Sequence, residues 1–401
     1  MSAAAMFLAP AVAVAFALAG CGGGGDNNGP TPPPPTDNTV AAVVDAGPGG
    51  YVNLLFVSVT VCAPGASTNC QTIDHVQVDT GSNGLRIFSS VLSPAVSLQQ
   101  QRDANGNPIV ECTQFADGVS WGPVKIADVR IAGELASSVP IQVIGDPAFA
   151  TIPASCSNLG PPENDVPTFG ANGLLGVGFF LQDCGAPCAQ LTIPGTYYIC
   201  PASGCQPARI AVGLQVQNPA ALFAADNNGV IIRLPSVPAA GAATVTGSLV
   251  FGIGTQSNNS VSGFAALGVD ATTGNLVTVF NNKTYSSSYV DAGSNGTFFG
   301  TGLFPNCSAS FDGFYCPPTA QNLTAIMRGN NGTQNAVNFS VGNAEQLVTA
   351  NPNFYAFNNL AGSNPDTATF AWGLPFFYGR SVFTAIEGRS TPAGVGPYVA
   401  F

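Results

Sequence analysis

Alternation of apolar and polar residues, the mark of a half-buried strand, recurs along this chain. Residues 51–61, from Tyr51 to Val61, are rich in β-branched and aromatic side chains and alternate towards their end. His75-Val76-Gln77-Val78 alternates into Asp79. Val124-Lys125-Ile126, Val129-Arg130-Ile131, Val139 to Ile144 and Ala336 to Val341 read as further strands, with a hairpin turn near Asp117-Gly118. A closing strand pair is predicted from Val382 to Ile386 and from Gly396 to Phe401. Between these runs lie a Pro/Ser/Asn-rich loop at 146–170, an irregular cysteine-rich stretch at 181–210, and one helical start at Asn218-Pro219-Ala220, where proline suits a first turn. The pattern predicts an all-β chain.

One strand end is duplicated. Val78-Asp79-Thr80-Gly81-Ser82-Asn83-Gly84 recurs as Val290-Asp291-Ala292-Gly293-Ser294-Asn295-Gly296, identical at six of seven positions. Each copy follows a strand-like approach and runs into an apolar exit, Leu85-Arg86-Ile87-Phe88 and Thr297-Phe298-Phe299. Each is also followed downstream by an apolar-Gly segment, Leu174-Leu175-Gly176 and Ala371-Trp372-Gly373. Two similar half-chains, each delivering an aspartate at a Gly-rich turn, point to two carboxylates at one site.

Composition narrows the function. The chain is 8% charged, with 48 Gly, 32 Pro and a net charge of -11; its lysines are Lys125 and Lys283. A nucleic-acid partner is excluded, because that role needs a basic surface. Of the 11 cysteines, Cys21 stands apart at the end of an apolar run. The others pair sequentially as Cys62/Cys70, Cys112/Cys156, Cys184/Cys188, Cys200/Cys205 and Cys307/Cys316, which suits an oxidising compartment. Zinc at Cys184 and Cys188 would need further ligands, and the chain has the single histidine His75. No metal and no cofactor is expected.

Residues 1–20 end Leu18-Ala19-Gly20 before Cys21, which resembles the lipobox of bacterial lipoproteins. The resemblance implies a signal peptide over 1–20, lipidation at Cys21, and an anchor in the cell envelope, with Gly22 compatible with outer-membrane sorting. No Lys or Arg precedes the apolar run, which departs from that pattern. Residues 21–40 read as a Gly/Pro-rich tether. Two β-rich lobes are expected to follow, at 41–235 and 236–401, with the Pro/Ala-rich stretch 234–246 at their boundary.

In order, Asp79-Thr80-Gly81-Ser82, Phe115-Ala116-Asp117-Gly118, Leu174-Leu175-Gly176, Gly247-Ser248-Leu249-Val250-Phe251-Gly252, Asp291-Ala292-Gly293-Ser294 and Ala371-Trp372-Gly373 resemble the stations of the pepsin-like aspartic peptidases. The resemblance spans roughly residues 45–401. With its lipobox and tether, the chain also looks like an uncharacterised family of bacterial lipoproteins. The peptidase resemblance implies a two-lobed acid-protease fold with a cleft between lobes. It implies Asp79 and Asp291 as the catalytic dyad, activating a water against an extended peptide. Gly81 and Gly293 would offer N–H groups, and Ser82 and Ser294 hydroxyls, to the carboxylates. Thr80 would lock the two loops together, and Phe115 would sit on the flap over substrate. Three positions depart from the family: Ala292 lacks the hydroxyl of Thr80, Phe115 stands where a tyrosine is usual, and Leu374-Pro375 follows Gly373 where many members carry aspartate. The expected partner is a peptide or protein, with the membrane reached through the lipid anchor, and a monomer is expected. The alternative left open is an inactive descendant whose cleft binds peptide, glycan or protein.

Overall fold

The computed structural model describes residues 38–300 and 302–401. The expectations at the signal peptide, Cys21 and most of the tether lie outside these residues. Strand structure begins at Thr39, inside the segment read as tether, because Thr39–Val44 pairs antiparallel with Val245–Phe251 and contributes buried Ala42 and Val44. Among the described residues no helix is long and apolar enough to cross a membrane.

The alternating runs become strands, and the fold is all-β. Leu55–Cys62 buries Val57, Val59 and Val61 and leaves Ser58 in solvent. Each such apolar side chain contributes roughly 1.5–3 kcal/mol by leaving water. The strand does not begin at Tyr51 as alternation suggested. Residues 52–53 turn, with Asn53 at φ 57, because the Asn53 side chain is wholly buried and bonds Asn295 O and Phe357 O in the second half of the chain.

Six strands close into a barrel. Around it run Leu55–Cys62, Cys70–Asp79, Gly173–Val177, Asn83–Phe88, Glu134–Ile144 and Val119–Ile131, and the last pairs back to the first. From this barrel the sheet continues through Thr39–Val44 to Val245–Phe251, Gly229–Leu234, Arg380–Ala385 and Tyr398–Ala400. The stretch 234–246 is therefore the connection between two antiparallel neighbours in one sheet. A second sheet holds Gln334–Val341, Gln321–Arg328, Leu276–Phe280, Lys283–Val290, Phe370–Trp372, Thr297–Phe299 and Ala361–Gly362. Its core is aromatic: Phe299 stacks on Phe370 at 4.6 Å and Phe370 on Trp372 at 4.4 Å.

The sequence duplication is also a duplication of topology. Cys70–Asp79 runs parallel to Gly173–Val177, which is antiparallel to Asn83–Phe88, itself parallel to Glu134–Ile144. Lys283–Val290 runs parallel to Phe370–Trp372, which is antiparallel to Thr297–Phe299, itself parallel to Ala361–Gly362. Strand order and polarity repeat step for step.

The loop at 146–170 contains three short helical turns, Pro147–Phe149, Ala154–Ser157 and Val166–Phe169, and the helical start at Asn218 is a single 3-10 turn, Pro219–Leu222. The five bridges are Cys62–Cys70, Cys112–Cys156, Cys184–Cys188, Cys200–Cys205 and Cys307–Cys316, so Cys184 and Cys188 hold each other and no zinc.

Candidate functional site

The two aspartates come together because Asp79 ends, and Asp291 directly follows, the strand that its half wedges between partners. Asp79 closes Cys70–Asp79 beside Gly176, and the Asp291 N–H donates to Trp372 O at 2.9 Å. The chain turns sharply after each. Gly81 N–H donates to Asp79 Oδ1 at 2.6 Å and to Asp291 Oδ1 at 3.1 Å. Gly293 N–H donates to Asp291 Oδ1 at 2.7 Å. A single N–H thus serves both carboxylates. The hydroxyls of Ser82 and Ser294 donate to the other oxygens, Asp79 Oδ2 at 2.5 Å and Asp291 Oδ2 at 2.7 Å.

Asp79 is 7% exposed and hydrogen-bonds Asp291. Burial, then the charge of Asp291 and that hydrogen bond, push the Asp79 carboxyl well above the usual carboxylate range, against the opposing pull of Ser82 and Gly81. The pair therefore keeps one proton where isolated aspartates would both be ionised. One acid that donates and one carboxylate that accepts, side by side, can activate a water and polarise a carbonyl oxygen together.

Thr80 ties the two turns. Its hydroxyl donates to Val290 O at 3.2 Å and accepts from the Ala292 N–H at 2.9 Å. Ala292, fully buried, returns no such bond, so the lock is one-sided. Gln77, two residues before Asp79 on the same strand face, adds a second tie by donating to Gly293 O at 3.1 Å. Reading the sequence missed Gln77, although its period-two spacing from Asp79 was visible. It also missed Tyr289, whose phenol is pushed up to about 12 by burial and then by the charges of Asp291, Asp79 and Asp366.

Phe115 opens the turn between Ile109–Gln114 and Val119–Ile131, where its N–H donates to Gly118 O at 2.8 Å. Its half-buried ring packs edge-on against Phe169 at 5.5 Å, and Phe169 packs on Phe88. The hairpin is strapped by the 146–170 segment. Val119 N–H bonds Pro161 O, Ser120 Oγ bonds Glu163 O, and Cys112–Cys156 closes the link. At its tip, Glu163 is pushed up to about 8 by burial, then by the charge and hydrogen bond of Asp117. His75 engages other carboxylates: its ring nitrogens lie 3.3 Å from Asp45 and 3.3 Å from Asp74. Among the described residues, no three His, Cys, Asp or Glu side chains converge to hold a metal ion.

No curated protein matches the chain. A family model described as "Protein of unknown function (DUF3443)" matches residues 34–401, nearly the whole of it, and the chain therefore belongs to the DUF3443 family.

Proposed function

We propose that this chain is a pepsin-like aspartic endopeptidase, two-lobed, with the Asp79–Asp291 pair at the floor of a cleft that takes an extended peptide. The observation that carries the reading is the meeting of the two turn aspartates: one glycine N–H spans both carboxylates, and each carboxylate has its own serine donor. A water held between the acids loses a proton to the ionised one and attacks the peptide carbonyl. The protonated one donates to the carbonyl oxygen. The proton taken from water then passes to the departing nitrogen, so no covalent enzyme intermediate forms. With the expected lipid anchor at Cys21, the enzyme works at the cell envelope.

The test is cleavage of an unfolded protein by the oxidised, purified chain across a pH series. Activity should be bell-shaped in the acid range, about pH 3 to 6, because base is lost below the pair's first apparent pKa and acid above its second. It should vanish in Asp79→Asn and in Asp291→Asn. A wild-type chain that cuts nothing across that range sinks the reading. The one-sided lock at Ala292 favours a second reading, a cleft that binds peptide without cutting it. That reading predicts peptide binding that survives in both variants.

A further inference from the structure

Arg86 lies on the strand leaving the Asp79 turn and is 1% exposed. A guanidinium is costly to bury unless every face is paired, and a hydrophobic side chain of similar size would usually serve stability as well. Four hydrogen bonds hold it here. Nη1 donates to Asn83 O at 2.9 Å, at the strand residue that follows the turn directly. Nε donates to Thr113 Oγ1 at 3.0 Å and Nη2 to Glu111 Oε1 at 2.7 Å, both on the hairpin strand Ile109–Gln114. Nη2 also reaches Asp183 Oδ2 at 3.2 Å. One side chain thus joins the turn that presents Asp79, the hairpin and the segment beyond Gly178.

The surroundings fix the charge of this cluster. Glu111 is 2% exposed and the Asp183 side chain 12%. Tyr197 donates its hydroxyl to Asp183 Oδ1 at 2.7 Å and accepts from Val216 N–H, and Gln142 donates to Glu111 O. Arg86, Glu111, Asp183 and Tyr197 are the titratable groups that meet here. With both carboxylates ionised the cluster would bury a net negative charge, and Glu111 Oε2 would have no hydrogen-bond partner. A proton shared by Glu111 and Asp183, whose carboxylates both accept from Arg86 Nη2, cancels both costs.

We propose that Arg86 is a positioning residue for the Asp79 turn, and that Glu111 and Asp183 share one proton that keeps it in place. Its tie to function rests on the peptidase reading, while the arrangement itself does not. In acid the cluster is neutral and the turn is held. As the pH rises the proton is lost, excess negative charge is buried, and the hold of Arg86 on Asn83 O is the contact that gives way.

The test compares the full oxidised chain with Glu111→Gln, Asp183→Asn and Arg86→Lys. In the wild type, backbone amide exchange at residues 81–84, corrected for intrinsic base catalysis, should quicken about tenfold once the shared proton is lost. In Glu111→Gln and Asp183→Asn, where one carboxylate faces one guanidinium, that step should be absent. Arg86→Lys keeps the charge but loses the forked reach to Asn83 O. It should exchange fast at every pH, displace the carbon-13 titration of the Asp79 carboxyl, and lower kcat with little change in KM. The proposal is overturned if Glu111→Gln and Asp183→Asn keep the wild-type step, or if Arg86→Lys leaves the Asp79 titration where it was. If Arg86→Lys does not fold, the two isosteric variants decide. If the chain cleaves nothing, the exchange and carboxyl titrations still decide, so failure of the peptidase reading is told apart from failure of this one.

Discussion

The Gly81 N–H and the Asp291 carboxylate meet across 3.1 Å, although 210 positions of chain separate them. Glycine is required there by space and not by backbone angle. A β-carbon on Gly81 would sit 2.8 Å from Asp291 Cγ, and one on Gly293 would sit 2.8 Å from Asp79 Cγ. Gly81→Ala and Gly293→Ala should each force the carboxylates apart. The expected result is an unfolding free energy lower by about 1–3 kcal/mol and cleavage slower by roughly 100-fold. Urea titration and initial rates measure the two separately.

Asp79→Asn should separate activity from stability. Cleavage should disappear, because an amide neither yields nor shares the proton. Stability at neutral pH should rise, because the native state no longer has to hold a proton that the unfolded chain releases. A neutral-pH melting temperature well below wild type would contradict this account of the pair.

The same linkage sets the pH profile of the whole fold. Asp79, Asp183 and Glu163 all have carboxyl groups raised above their ordinary range. A group raised in the folded state stabilises fully below its unfolded pKa, and that contribution is lost as the pH climbs through the folded value. For Glu163 the loss runs from about 4.5 to about 8. The urea midpoint should therefore be higher in mild acid than at pH values above this window, and Glu163→Gln should flatten part of the fall. A midpoint that climbs steadily with pH would refute the assignment.

Thr80→Val keeps the shape and removes the hydroxyl. The Ala292 N–H and Val290 O, bonded to it at 2.9 Å and 3.2 Å, are then left unpaired in a buried place. The expected cost is about 1–3 kcal/mol, with kcat reduced more than KM is raised. Equal kinetics in Thr80→Val would show that the one-sided lock plays no part in setting the dyad.

The bridges differ in weight. Cys112–Cys156 spans 44 residues and Cys184–Cys188 spans 4. Loop-closure entropy assigns about 4 kcal/mol to the first and about 2 kcal/mol to the second. Replacing the first pair by alanine should lower the melting temperature more and also speed proteolysis of the 109–131 hairpin, which that bridge straps down.

Much of this is legible in the residue order. Alternation at Val57, Val59 and Val61 announced a strand with one buried face, since side chains on a strand project at period two. The repeated Asp-x-Gly-Ser turn announced paired halves, and the five cysteine pairs lay next to one another along the chain. Asn53 was not legible. Nothing local marks an asparagine whose partners, Asn295 and Phe357, lie in the other half. Arg86 stood out no more than its neighbours in the apolar exit Leu85-Arg86-Ile87-Phe88, because Glu111 and Asp183 are distant in sequence and their carboxylates become its partners only through folding.

The sequence by itself determined the two aspartates, the glycine and serine that follow each, and the alternating strands that carry them, because these depend on residue type and short spacing. Tertiary structure alone decided that the carboxylates face each other, that one N–H serves both, and that burial beside a second acid raises the carboxyls of Asp79, Asp183 and Glu163. Those outcomes depend on distance and on exclusion of water, which the packing of the two halves creates.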